Sequence, residues 1–139
     1  MTGDPAPVDG NPDAESRPQQ SVLSAISNEM VRIYKDQFGR GPTKTRTNWA
    51  GPDTIVVTLE ETLTPAERSL RRLGEHERLR DLRMLFQYAE IAAFCEPVER
   101  LTGRKVRAFI SGFDTEVDLA SEMFVLHPDG YVGLSRSGG

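Results

Sequence analysis

Cysteine is nearly missing from this chain: Cys95 is the only one in 139 residues, so no internal disulfide can form and no cysteine-rich metal site can be built. Lying in a helical stretch, it reads as a small buried hydrophobe. Histidine is almost as scarce, with only His76 and His127, which leaves zinc chemistry and histidine-based catalysis without their usual groups. No run approaches the roughly 18 uninterrupted apolar residues of a membrane-spanning helix. The first residues are acidic and proline-bearing rather than basic and then apolar, so they do not read as a secretory signal. A positive surplus is missing too. Seventeen Lys and Arg against 21 Asp and Glu give a net charge of -4, the wrong bias for a general nucleic-acid binder. These absences point to a cytoplasmic protein.

What remains divides by texture. Residues 1–20 hold Pro5, Pro7, Pro12 and Pro18 among Gly, Asp, Asn and Ser, with Val8 almost the only apolar group, and are expected to be a disordered acidic tail. That tail carries -3 of the net charge, leaving the rest almost neutral. Residues 21–128 are expected to form one domain, and 129–139, rich in Gly and Ser, a flexible end.

Within the domain, Val22, Ile26, Met30, Ile33 and Tyr34 recur at three- and four-residue steps and predict an amphipathic helix closed by Gly39. Thr43–Trp49 alternates, the turn Ala50-Gly51-Pro52-Asp53 follows, and Thr54–Glu60 is a second strand, so the two should pair as a hairpin. Thr64-Pro65-Ala66-Glu67 is a capping box that opens a short helix ending at Gly74. Leu79, Leu82, Phe86, Ala89 and Ala93 carry helical spacing on toward Leu101 and the terminator Gly103. Pro97 predicts a kink or break near residues 93–96. Lys105–Phe113 and Ser121–Leu126 read as a second hairpin around the loop Asp114–Leu119. The order α-β-β-α-α-β-β predicts an α+β fold, a four-stranded antiparallel sheet with helices on one face.

One pattern occurs twice. Gly39-Arg40 precedes Lys44-Thr45-Arg46, and Gly103-Arg104 precedes Lys105-Val106-Arg107, each at a helix-to-strand junction. Residues two apart on a strand share a face, so these pairs would set four cations on the open side of the sheet. Arg40, Lys44, Arg46, Arg104, Lys105 and Arg107 are therefore the candidate binding residues, for a phosphate, a carboxylate or an acidic partner. The alternative function is a sensor of a small molecule such as a phosphate, nucleotide or other anion, or of a nucleic acid. The structural alternative is an ordinary solvated face, with Glu60 and Glu122 as cross-strand partners. Between Arg68 and Arg83 the arginines interleave with Glu67, Glu75, Glu77 and Asp81 at helical spacing, which suits a solvated helix or, failing that, a docking surface. Gly39–Thr45 has the wrong order of elements for a phosphate loop. Asp114–Asp118 lacks the glycine and the leading helix of a calcium loop, and no Gly-x-Ser-x-Gly elbow exists. No catalytic residue and no cofactor is expected.

Phe38-Gly39-Arg40-Gly41-Pro42-Thr43-Lys44-Thr45-Arg46, Thr62-Leu63-Thr64-Pro65-Ala66-Glu67-Arg68, Leu101-Thr102-Gly103-Arg104-Lys105-Val106-Arg107-Ala108-Phe109 and Glu122-Met123-Phe124-Val125-Leu126, in that order and spacing, resemble a bacterial family. It is named for the soluble C component of the sodium-translocating membrane-potential-generating system. The resemblance implies a non-enzymatic accessory or regulatory protein linked to sodium and bicarbonate transport, with no membrane span of its own, placed peripherally against a membrane-protein partner. A homodimer is also expected, because one small sheet with an open face gains stability by burying that face or a helix against a copy.

Overall fold

The computed structural model describes residues 12–138 of the chain. Helix α1 (Pro12–Phe38) begins with Pro12 at its first position, where a missing N–H costs nothing. The boundary expected at Ser21 is therefore not an element boundary, and the remainder of the expected tail lies outside the described residues. Strands β1 (Lys44–Trp49) and β2 (Thr54–Glu60) follow, then helices α2 (Pro65–Arg72), α3 (His76–Ala89) and α4 (Ile91–Thr102), and finally strands β3 (Val106–Asp114) and β4 (Leu119–Leu126). Every strand pairing is antiparallel, and the sheet order is β1-β2-β4-β3. The predicted α+β fold is the one observed.

Local signals set most of these elements. Thr64 accepts from the Glu67 amide while the Glu67 carboxylate accepts from the Thr64 amide, so the capping box forms in full. The break in the long helical stretch falls elsewhere than expected. It lies at Glu90, at φ -116° and ψ 34°, and Pro97 sits buried inside α4. The chain has already turned before the proline ring is reached, so the ring costs α4 one hydrogen bond rather than its continuity.

The sheet's inner side holds Ile55, Val57, Leu59, Ala120, Phe124 and Leu126, packed against Ile26, Met30, Ile33 and Tyr34 of α1 and Phe94, Cys95 and Val98 of α4. Phe109 stacks on Phe94 at 5.3 Å and meets Phe124 at 5.2 Å. The other side carries Lys44, Arg46, Thr58 and Glu60, with Val56, Met123 and Ile110 in register across β2, β4 and β3.

The repeated Gly-Arg now has a structural meaning. Gly39 and Gly103 both end their helices at positive φ, 80° and 72°, and both donate to the carbonyl four residues back at 2.9 Å. Arg40 then donates to the Leu63 carbonyl at 3.1 Å and Arg104 to the His127 carbonyl at 2.9 Å. Each arginine ties a helix end to the chain leaving its own hairpin, 23 residues on. Two helix-and-hairpin halves thus meet along β2 and β4, with α2 and α3 inserted between them.

The segment after Pro128, expected to be a flexible end, makes defined contacts. Glu99 accepts from the hydroxyls of Ser135 and Ser137 and from the amides of Val106 and Arg136. Burial acts to raise the Glu99 carboxyl, but these donors outweigh it and hold it below its ordinary value. His127 and Tyr131 stack at 3.6 Å.

Candidate functional site

Helix α3 is inside out. The predicted apolar stripe included Leu82 and Phe86, yet these are 39% and 48% exposed, and Leu85 is 65% exposed. The side that meets the core presents Leu79, Arg83 and Gln87, of which Arg83 is 1% exposed and Gln87 fully buried. Phe86 touches the body only edge-on, 6.4 Å from Phe38. Tyr88, half-exposed, accepts from the Ser111 amide at 2.8 Å and donates to its carbonyl at 3.3 Å, which occupies both backbone groups of that residue on the edge strand β3.

A buried polar network explains the inversion. Arg83 donates from Nε to Glu67 at 2.6 Å, from one terminal nitrogen to Glu67 at 2.8 Å and the Thr62 carbonyl at 2.7 Å, and from the other to the Thr62 hydroxyl at 3.2 Å. Its guanidinium also lies 4.0 Å from the centre of the Phe38 ring. The arginine is therefore a core residue, not one of a solvated row. Burial tends to raise the Glu67 carboxyl, but Arg83 and the Thr64 groups win and hold it below its ordinary value. Beyond it, Gln87 donates to Glu122 at 2.5 Å and to the Tyr34 hydroxyl at 2.7 Å, and that hydroxyl donates to Glu122 at 2.5 Å. Burial pushes the Glu122 carboxyl up to about 7 and, with Glu122 beside it, lifts the Tyr34 phenol well above its ordinary value. Glu122 was expected as a surface partner for the sheet cations. It points instead to the helix side, because β4 places Ala120, Glu122, Phe124 and Leu126 there together.

The six cations singled out in the sequence do not form one surface. β1 and β3 are opposite edges of the sheet, roughly 14 Å apart at three strand spacings. Lys44, opposite Glu60, and Arg46, opposite Thr58, stand on one edge, and exposed Arg107 lies at a register shift on the other. Arg104 is drawn away to the β1–β2 turn, where it meets Asp53 at 2.6 Å and the Pro52 carbonyl at 3.0 Å. Lys105 donates to the Gly133 carbonyl at 2.6 Å.

Arg40 alone enters a new grouping. It lines an open cleft of about 420 Å³ with Arg68 and Arg71 of α2 and with Glu61, Glu116, Val117 and Asp118 at one end of the sheet. Arg40 and Arg68 both donate to the Leu63 carbonyl, at 3.1 and 3.0 Å. Glu61 and Asp118 are the two non-glycine residues at positive φ among the described residues, at 60° and 54°. The Asp118 carboxylate accepts from the Thr62 and Leu63 amides at 2.9 and 3.2 Å, so the loop between β3 and β4 is anchored here.

Sequence reasoning missed Tyr34, Glu67, Arg83, Gln87 and Glu122 as a network. A signal existed: Arg83 and Gln87 stand four and eight residues after Leu79, on one side of the helix. Polar side chains at core spacing are read as solvated unless their partners are known.

A family model described as "Na+-translocating membrane potential-generating system (MpsC)" matches residues 19–128. No curated protein and no solved structure matches the chain. No helix of the described residues is long and apolar enough to cross a membrane.

Proposed function

The chain belongs to the MpsC family of the Na+-translocating membrane potential-generating system, and from that premise we propose that it is a non-enzymatic accessory component acting through protein contact. The observation that carries this reading is the outer side of α3. Leu82, Leu85, Phe86 and Ala89 stand on it at helical spacing, facing away from the core. Burying Arg83 and Gln87 instead of these residues costs desolvation, so the arrangement makes sense where a partner covers the apolar side. In this reading the protein sits peripherally, on the cytoplasmic side, against a membrane-spanning component. Cys95 supports a non-catalytic role: burial, reinforced by Glu99, pushes its thiol up to about 12, leaving it a poor nucleophile. The test is a photo-crosslinker placed at Arg78, beside the stripe, in native membranes. Crosslinking to a membrane-spanning transport component, lost when Leu85→Lys is added, is expected. Labelling unchanged by that substitution would sink the reading.

A second copy is the other occupant that one observation favours. Arg78 and Glu90 stand at opposite ends of the stripe, both exposed. In an antiparallel two-fold pairing of α3 helices, Arg78 of each lies opposite Glu90 of the other. Light scattering of the purified chain separates the two readings. A dimer mass reduced to the monomer by Leu85→Lys supports self-pairing, and a monomer mass at every concentration removes it.

A further inference from the structure

The arginine cleft beside α2 is independent of that contact surface, and its charges are arranged unusually. Arg40, Arg68 and Arg71 are half-buried around one opening, yet none of the three belongs to an ion pair within 4.0 Å among the described residues. Two of the three acids that line the same cleft are engaged by other groups. Asp118 spends both carboxylate oxygens on the Thr62 and Leu63 amides. Glu61 accepts from the Thr43 hydroxyl, and the third acid, Glu116, is exposed on the β3–β4 turn with no partner for its carboxylate among the described residues.

Two of the guanidinium groups are held against each other. Arg40 and Arg68 converge on the Leu63 carbonyl, which fixes one nitrogen of each and leaves the remaining N–H donors without a partner among the described residues. Like charges brought together in this way repel, and an anion between them relieves the repulsion. The fork shape of arginine matches a tetrahedral or planar oxoanion in a way that lysine does not. The wall is built from two turns in which Glu61 and Asp118 adopt the left-handed backbone. The Glu61 amide donates to the Asp118 carbonyl at 3.0 Å, locking the two turns together.

We propose that this cleft binds a phosphate group, free or as the monoester of a small solute, between Arg40, Arg68 and Arg71. Glu61, Glu116 and Asp118 on the same rim offset the formal charge, so the selection rests on geometry. Three guanidinium forks offer more N–H donors than a carboxylate can accept, and a phosphate dianion suits them better. The opening of about 420 Å³ leaves space for the organic part of a monoester on the Val117 side. Among the described residues the Arg71 side chain makes no hydrogen bond, so it is the arginine most free to close on the ligand.

The test is isothermal titration of the full chain with inorganic phosphate and, separately, with glycerol 3-phosphate. Saturable one-to-one binding is expected, weakened about tenfold or more by Arg71→Gln and by Arg68→Gln, the loss of one hydrogen bond to a charged group. Arg72→Gln is the control on the same helix, since Arg72 reaches Ser69 rather than the cleft, and it should bind as the native chain does. Tighter binding of glycerol 3-phosphate supports a phosphomonoester, and equal binding supports recognition of the phosphate group alone. The proposal is overturned if neither probe gives saturable heat, or if binding survives both cleft substitutions in chains whose circular dichroism is native. Equal loss with Arg72→Gln also overturns it, since that marks a diffuse charge effect.

Discussion

Tyr34 on α1 and Glu122 on β4, 88 positions apart in sequence, share a 2.5 Å hydrogen bond in which the phenol donates to a fully buried carboxyl. Gln87 of α3 completes the arrangement, so three elements meet over one titratable group. Its protonated form is the one that burial favours.

Stability should therefore fall as pH rises toward neutrality. The Glu122 carboxyl is raised in the folded chain to about 7 from an ordinary 4.5. Its contribution is fully present below 4.5 and is lost as pH climbs through 7, a change on the order of 3 kcal/mol. Glu67 runs the other way: held low, it contributes above the ordinary carboxylate value and loses that contribution as pH falls. Urea unfolding between pH 5 and 8 checks this. Glu122→Gln should flatten the slope in that window, and an unchanged slope in this variant rejects the assignment.

Arg83→Met should cost about 3–5 kcal/mol, since it leaves the Glu67 carboxylate in the core with no counter-charge. Adding Glu67→Leu should recover much of that loss, because removing both charges also removes their desolvation cost. A double-mutant cycle by denaturant unfolding measures it, and additive losses would contradict a coupled buried pair.

Leu85→Lys should leave the isolated chain within about 0.5 kcal/mol of native stability, because Leu85 stands 65% exposed and contributes little to the core. Differential scanning fluorimetry at low protein concentration checks this. A large loss would mean that α3 is held by contacts on its outer side within the same chain.

Arg104→Ala should destabilise by about 1–2 kcal/mol, through loss of its bonds to Asp53 and the carbonyls of Pro52 and His127. Protection of the Leu126 amide, which donates to the Asp53 carbonyl at 2.7 Å, should fall with it in hydrogen exchange. Equal protection in both chains would mean that Arg104 holds nothing.

Native Cys95 should resist thiol reagents until the chain unfolds, because the thiol is buried and pushed up to about 12. Timed labelling with and without urea checks it, and fast labelling of the folded chain would show that α4 opens.

The amino-acid sequence by itself determined what depends on neighbours along the chain. Strand β2 starts at Thr54 and ends at Glu60 as read, the Thr64–Glu67 capping box forms, Gly39 and Gly103 end their helices, and each pair of strands closes as a hairpin. A cap, a turn or a two-residue alternation is settled within a few residues. The tertiary structure alone decided which side of α3 faces inward, that Glu122 belongs to the core, that the two Lys-x-Arg pairs stand on opposite edges, and that Arg40 joins Arg68 and Arg71. These outcomes follow from the sheet order β1-β2-β4-β3 and from partners 16 to 88 residues away. A buried arginine and a solvated one have the same helical spacing, and only the groups packed against them tell them apart.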